Sequence, residues 1–120
     1  MNFIDYQDSR PIYEQIADRY KLLILKGVLA PDEQMPSVRK LAMELSTNPN
    51  TVQKAYMELE RTGYIYTVKG RGNFVRADEG LLLMKKKELA QELRGIFRKA
   101  REIGIDIDEL IEEAKDNDRD

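Results

Sequence analysis

Residues 36–60 read PSVRKLAMELSTNPNTVQKAYMELE, and this stretch predicts two short helices joined by a tight polar turn. Ser37 is placed to cap the first helix, because its hydroxyl can accept a hydrogen bond from an orphan backbone N–H one turn further on. Asn48 and Pro49 start the second helix, since asparagine caps and proline suits the first helical position, where no backbone donor is needed. The stretch therefore predicts a helix-turn-helix.

Each of these helices has one apolar face, which is formed by Val38, Leu41, Ala42 and Leu45 in the first and by Val52, Ala55, Tyr56 and Leu59 in the second. At roughly 100° per residue, the opposite face of the second helix carries polar side chains. Amides, a hydroxyl and an ammonium group suit the base edges and phosphates of a DNA major groove. A polar outer face is also what any surface helix shows. Taken alone, the helix therefore favours an ordinary surface helix over a DNA-binding one.

The spacing of the apolar residues changes after the second helix, from a helical pattern to one typical of strands. Gly63 stops the helix, and residues 64–68 and 74–75 are rich in aromatic and β-branched side chains. Residues 69–72, Lys-Gly-Arg-Gly, form a glycine turn between them, which predicts a hairpin with two cations at its tip. A helix-turn-helix followed by such a hairpin is a winged helix, whose wing tip can reach the DNA backbone or minor groove beside the helix.

Five segments of residues 11–76 together resemble the DNA-binding domain of the GntR family of bacterial transcription regulators. They are PIYEQI (11–16), MPSVRKLA (35–42), NPNTVQKAY (48–56), GYI (63–65) and GRGNFV (70–75). The tail resembles that of the YtrA-like subgroup, whose members lack the large effector domain of other GntR-type proteins. The resemblance implies a winged helix-turn-helix that binds DNA, and in this subgroup it implies regulation of an adjacent transporter operon.

The composition excludes several kinds of site. The chain has no cysteine and no histidine, so disulfides, thiolate catalysis, the usual general base and the commonest metal ligand are missing. We therefore expect no catalytic residues, no cofactor and no metal site. No segment has the length of a membrane span and no apolar leader opens the chain, so we expect a cytoplasmic protein without a membrane partner.

The net charge of −2 hides a segregated distribution. Residues 36–76 hold seven cations and three anions, a net of +4, whereas residues 106–120 hold two cations and eight anions, a net of −6. DNA responds to the local field rather than to the total charge. The basic half coincides with the helix-turn-helix and the wing, which favours DNA binding.

The flanking segments complete the domain organisation. Asp5 to Arg10 is predicted to be an extended arm, and Pro11 opens a helix that runs to about Lys26. Val28 to Met35 is predicted to be a loop, and Ala77 to Gly80 a linker. We expect residues 1–77 to form the winged helix-turn-helix domain and residues 78–120 to form a helical dimerisation tail.

The tail is predicted to contain a long helix from Leu81 to Ile103 and a last helix after Gly104. Apolar residues in the long helix are spaced 4, 3, 4, 3, as in a heptad seam. With the apolar face of the last helix, the expected dimerisation residues are Leu89, Leu93, Ile96, Ala100, Ile103, Ile107, Leu110 and Ile111. To bury these apolar residues, the tail either folds back on its own domain or packs on a second copy of the chain, and we favour the second copy. A two-fold dimer would present two recognition helices to a palindromic operator.

The fold class expected is therefore mainly α (α+β), a winged helix-turn-helix domain with a C-terminal two-helix dimerisation appendage. The candidate DNA-binding residues are Ser37, Arg39, Asn48, Asn50, Thr51, Gln53, Lys54, Lys69, Gly70 and Arg71. Arg39 is included because GntR-type proteins use the matching arginine for DNA. Asn50 departs from the family, many members of which carry arginine nearby, and this bears on base preference.

The sequence is compatible with three classes of function. The first is a repressor that blocks transcription by occupying its operator as a homodimer, with a recognition helix at about 48–62 and a wing tip at 69–72. Any small-molecule effector would then bind at the dimer interface or between the tail and the winged domain. The second is a winged-helix protein-interaction module without DNA binding, which the net negative charge and the outward-facing Met57 favour. An enzyme is the third and weakest class, because only scattered carboxylates remain.

Overall fold

The computed structural model describes residues 4–76 and 78–117 of the chain, with the side chains of residues 116 and 117 excepted. The elements in these residues are α1 (Ile12–Leu25), α2 (Val38–Glu44), α3 (Pro49–Arg61), β1 (Ile65–Val68), β2 (Gly72–Val75), α4 (Glu79–Glu102) and α5 (Ile107–Asn117). They fall into two compact units, the first ending at Leu82 and the second beginning at Leu83. The predicted fold class, a mainly helical winged helix-turn-helix with a two-helix appendage, is confirmed.

Both predicted helix starts form as the sequence indicates. The Oγ of Ser37 accepts a hydrogen bond from the Lys40 N–H at 3.1 Å, and the Oδ1 of Asn48 accepts one from the Asn50 N–H at 2.7 Å. The turn between α2 and α3 contains Ser46 at φ 51°, a left-handed conformation that lets the chain reverse within a few residues. The N–H of Thr47 then donates to the Ala42 carbonyl at 2.9 Å and closes the end of α2.

The apolar faces of α1, α2 and α3 meet in one hydrophobic core. All four apolar residues predicted for α3 are buried, at 2% exposure or less, and Leu41 and Ala42 of α2 are equally buried. Ile16, Tyr20 and Ile24 contribute from α1. Burying a Leu or Ile side chain contributes about 1.5–3 kcal/mol, so this core holds α3 in place and turns its polar face outward.

Tyr56 is the largest of the fully buried side chains, and it joins α3 to the start of α2. Its hydroxyl donates to the carbonyl of Pro36 at 2.7 Å, and its ring meets that of Tyr20 edge to face at 6.3 Å. Burial raises the pKa of the Tyr56 hydroxyl well above its ordinary value. The phenol therefore stays neutral and donates throughout the physiological range of pH.

Removing this hydroxyl should destabilise the first unit. We expect Tyr56→Phe to lower the free energy of unfolding by about 1–3 kcal/mol, because the Pro36 carbonyl is left without its buried donor. Urea unfolding followed by circular dichroism measures the change. Tyr6→Phe is the matched control, since Tyr6 is 70% exposed and should change the free energy by less than about 0.5 kcal/mol. Equal stability of Tyr56→Phe and wild type would contradict the assigned role of the hydroxyl.

The wing is an antiparallel hairpin in which Ile65 pairs with Val75 and Val68 with Gly72. The segment predicted to be a loop before α2 pairs with the other edge of β2. The N–H of Met35 donates to the Asn73 carbonyl and the N–H of Val75 to the Glu33 carbonyl, both at 2.8 Å. The sequence does not predict this pairing, because the segment is too short and too polar to show a strand period.

Two predictions about the segments that flank the helices were wrong. The segment Asp5 to Arg10 is a turn, not an extended arm, because the buried side chain of Gln15 binds it. The N–H of Asp5 donates to Gln15 Oε1 at 2.8 Å, and Gln15 Nε2 donates to the carbonyls of Asp5 and Arg10 at 3.1 Å each. The predicted linker is shorter than expected, since Glu79 and Gly80 already belong to α4. Ala77 lies outside the described residues.

The second unit consists of most of α4 together with α5. Most of the predicted seam faces solvent in the single chain: Leu89, Leu93, Ile96 and Ile103 are between 48% and 73% exposed. Ala100 is buried at 4%, and Ile107, Leu110 and Ile111 are half-buried. Among the described residues, none of the helices combines the length and the apolar character that a membrane span requires.

Candidate functional site

The candidate site is the outward face of α3 together with the wing tip. The core contacts of Val52, Ala55 and Leu59 fix the rotation of α3, so residues on the opposite side point into solvent. Nine of the ten candidate DNA-binding residues are exposed, and Thr51 is half-buried. Asn50 and Lys54 are one helical turn apart and therefore share a face, as do Asn50 and Gln53. The structure thus leaves these side chains free to meet a ligand.

Two of the candidates have a capping role that occupies their oxygen atoms. The hydroxyl oxygen of Ser37 and the amide oxygen of Asn48 each accept a backbone N–H at the start of a helix. The Ser37 O–H and the Asn48 NH₂ group are still available as donors. Arg39, two residues after Ser37, is exposed in the first turn of α2.

The wing tip exposes two cations on a tight turn. Lys69, Gly70 and Arg71 are all exposed, and the Arg71 N–H donates to the Val68 carbonyl at 2.9 Å. Gly70 has φ 79° and Gly72 has φ 120°, conformations that other residues rarely adopt. A Cβ at Gly72 would also lie 3.1 Å from Gln34 Nε2. The glycines therefore set the shape of the turn that presents the two cations.

Three side-chain contacts tie the wing to the rest of the first unit. Gln34 Nε2 donates to the carbonyl of Arg71 at 2.9 Å, which holds the tip against the segment before α2. The Tyr66 hydroxyl donates to Asp32 Oδ1 at 2.7 Å, and this bond raises the pKa of Tyr66.

On the other side of the hairpin, the Thr67 hydroxyl is hydrogen-bonded to the carboxylate of Glu60 and lies 2.7 Å from Asn73 Oδ1. The wing is thereby joined to the end of α3. None of these anchoring residues was identified from the sequence. Gln34 and Tyr66 bind residues that are 37 and 34 positions away along the chain, and Thr67 binds a residue of a different element.

A further contact that the sequence did not indicate involves Lys54, in the N-terminal half of α3. The Lys54 ammonium lies 4.2 Å from the centroid of the Tyr13 ring, on α1. Beside it, an open cleft of about 400 Å³ separates the start of α1 from the start of α3. It is lined by Pro11, Ile12, Tyr13, Asn50, Thr51 and Lys54.

The chemistry of this surface is that of hydrogen bonding and charge, not of catalysis. Amide, hydroxyl and ammonium groups lie on α3, and cations lie on α2 and at the wing tip. Within residues 4–76 and 78–117, no group of three or more acidic side chains could hold a metal ion. A protruding polar helix beside a cation-tipped hairpin defines the class of winged helix-turn-helix DNA-binding proteins.

Comparison with known proteins gives the family. The family model for bacterial regulatory proteins of the gntR family matches residues 12–75, and the chain belongs to the GntR family. It is 41% identical over 115 residues to the HTH-type transcriptional repressor YtrA of Bacillus subtilis, covering 94% of this chain and 88% of that protein. The predicted likeness to the YtrA-like subgroup is confirmed.

Solved structures agree with this assignment. A GntR family transcriptional regulator from Listeria monocytogenes has a TM-score of 0.73 and 34% identity, over 94% of this chain and 98% of its own. The structure of AraR(DBD) in complex with operator ORE1 has a TM-score of 0.54 and 27% identity, over 62% of this chain and 92% of its own. The chain is therefore a transcription regulator with a DNA-binding domain and not an enzyme.

Proposed function

We propose that this regulator is a cytoplasmic repressor that binds a palindromic operator as a homodimer. Residues 1–77 bind DNA and residues 78–120 hold the dimer together. α3 lies in the major groove, where Asn50, Thr51 and Lys54 contact bases. The tip at 69–72 reaches the backbone or minor groove. Phosphates or neighbouring base edges are contacted by the remaining candidates, which are Ser37, Arg39, Asn48 and Gln53.

The observation that carries the proposal is the exposed polar face of α3 next to an anchored, cation-tipped wing. An α-helix fits the major groove, and amide and ammonium groups match the donors and acceptors of base edges there. Lys69 and Arg71 supply the charge that phosphates attract. The repressor relative in Bacillus subtilis and the operator complex of AraR(DBD) support the same function.

Dimerisation is proposed from the seam on α4. Leu89, Leu93 and Ile96 are about half exposed, and Ile103 is 73% exposed. At about 25 cal/mol per Å² of apolar surface, covering several such side chains gives several kcal/mol. A second copy supplies a matching seam, because a two-fold axis pairs the same surface with itself. Effector binding, where it occurs, would act through this interface by changing the separation of the two recognition helices.

Selection of bound sequences from a random duplex pool tests the proposal. We expect an inverted repeat with half-sites about one helical turn or more apart, because two related α3 helices read it. Measuring the affinity for the selected duplex against a scrambled duplex gives the specificity. Recovery of no common sequence, together with equal affinity for all duplexes, would favour the alternative of a protein-interaction module.

A further inference from the structure

The contact between Tyr13 and Lys54 links the first helix to the base-reading face of α3. These residues are far apart in sequence, and the core packing of α1 against α3 brings them together. The Lys54 ammonium lies 4.2 Å from the ring centroid of Tyr13, well inside the range of about 6 Å for a cation–π interaction. Tyr13 is half-buried whereas Lys54 is exposed. The ring therefore covers one side of the ammonium and leaves its other side exposed to solvent.

Lys54 has no competing anionic partner in the described part of the chain, since none of the ion pairs there involves it. Glu58, one turn further along α3, is bound by Arg61 through hydrogen bonds of 3.0 and 2.5 Å. These bonds hold the pKa of Glu58 below its ordinary value, so the carboxylate stays charged and paired with Arg61. The Tyr13 ring is therefore the group that the Lys54 ammonium contacts in the described part of the chain.

The Tyr13 hydroxyl contributes little to this arrangement. It makes a long approach of 3.5 Å to Glu14 Oε1, its neighbour in sequence. A cation–π interaction engages only the side of the ammonium that faces the ring, and the N–H bonds on the other side can donate elsewhere. Lys54 can therefore stay over the ring and donate to a base or a phosphate at the same time.

We propose that Tyr13 is a positioning residue for Lys54, whose ring holds the ammonium at the edge of the cleft between α1 and α3 in the orientation that DNA requires. A lysine side chain otherwise loses considerable rotamer freedom when it is fixed at an interface. The ring fixes the side chain before DNA arrives and so reduces this loss. This role rests on the DNA-binding function proposed above.

Affinity measurements on the selected duplex test the role. We expect Tyr13→Leu to weaken binding by about two- to fivefold per protomer, as removal of an exposed cation–π interaction would. Tyr13→Phe keeps the ring face and should bind within about twofold of wild type. In a Lys54→Ala background, Tyr13→Leu should cause no further weakening, because the side chain that it positions is already gone. An equal decrease in both backgrounds would show that Tyr13 acts independently of Lys54 and would overturn the proposal.

A variant that keeps the shape of the ring separates positioning from packing. Trifluorinated phenylalanine at position 13 fills the same space but withdraws electron density from the ring face. We expect it to weaken binding relative to Tyr13→Phe, and the difference should vanish in Lys54→Ala. Equal affinities of the fluorinated and Tyr13→Phe proteins would overturn the proposal even if Tyr13→Leu fails to fold.

The free protein gives a readout that does not depend on DNA. Proton NMR should show the Lys54 Hε resonances shifted upfield by the ring current in wild type and in Tyr13→Phe. Ordinary lysine shifts in wild type would overturn the proposal. Failure of wild type to bind any duplex, with the upfield shift present, would instead refute the proposed function and leave the contact established.

Discussion

Replacing Leu93 and Ile96 together by glutamate is expected to leave the protein monomeric, if the proposed dimer forms through this seam, and to lower affinity for the selected duplex by about 100-fold or more. Both side chains are about half exposed in the single chain and occupy consecutive positions of the α4 seam. Two carboxylates on this surface would face their own copies across a two-fold axis, and burying them without partners is unfavourable. Each protomer would then bind a half-site alone, without the effective concentration that the second protomer provides.

Analytical ultracentrifugation at micromolar concentration and fluorescence anisotropy with the selected duplex measure the two effects. The matched control is Gln91→Glu with Arg98→Gln, which changes the charge by the same −2 at exposed positions of α4 away from the seam. The control should remain dimeric. A Leu93→Glu, Ile96→Glu protein that sediments as a dimer would exclude this seam as the interface.

Replacing Arg39 or Arg71 by alanine is expected to lower affinity for the same duplex by about tenfold or more, because in the proposed complex each guanidinium meets a phosphate or a base edge. Both side chains are exposed, one early in α2 and the other at the wing tip. The slope of log affinity against log salt should also flatten by about one for each phosphate that the protein no longer neutralises, and so by about two in a dimer.

Titrations at several salt concentrations measure both quantities. Lys115→Ala is the control, since it removes an exposed cation that lies on α5, outside the proposed DNA-binding surface. The Nζ of Lys115 lies 3.6 Å from the Oε1 of Glu112. Its affinity and salt slope should match those of wild type. Unchanged affinity for every duplex in both arginine variants would refute the DNA-binding interface proposed for α2 and the wing.

Local signals made most of the first unit predictable from the sequence. Ser37 and Asn48 mark helix starts through hydrogen bonds that form within three residues, so the sequence alone contains the partners. Pro49 suits the first position of α3, where no backbone donor is needed. The apolar period of α3 fixed which face is buried, and all four residues assigned to that face are buried. The wing followed from the change of period and the glycine turn.

The parts that the sequence did not reveal depend on residues distant along the chain. The amide of Gln15 folds the N-terminal segment into a turn, but nothing near Asp5 in the sequence indicates that partner. The same holds for Gln34 at the wing tip and for Tyr13 beside Lys54. In each case tertiary packing supplies the contact, and no periodic pattern precedes it. The choice of DNA-contacting residues remains a prediction. Water can hydrogen-bond their exposed polar side chains as well as DNA can, so exposure alone does not identify a DNA contact.

The anchoring of the wing has a thermodynamic consequence. Three side-chain hydrogen bonds already hold the hairpin in place in the free chain. Gln34 binds the tip, and Tyr66 and Thr67 of β1 bind residues outside the hairpin. A segment that folds only on contact with its target must offset the loss of its conformational entropy at that moment, and the heat capacity falls by a correspondingly large amount. This hairpin is ordered beforehand, so the heat-capacity change on association reflects the surface covered by DNA and not the folding of the wing.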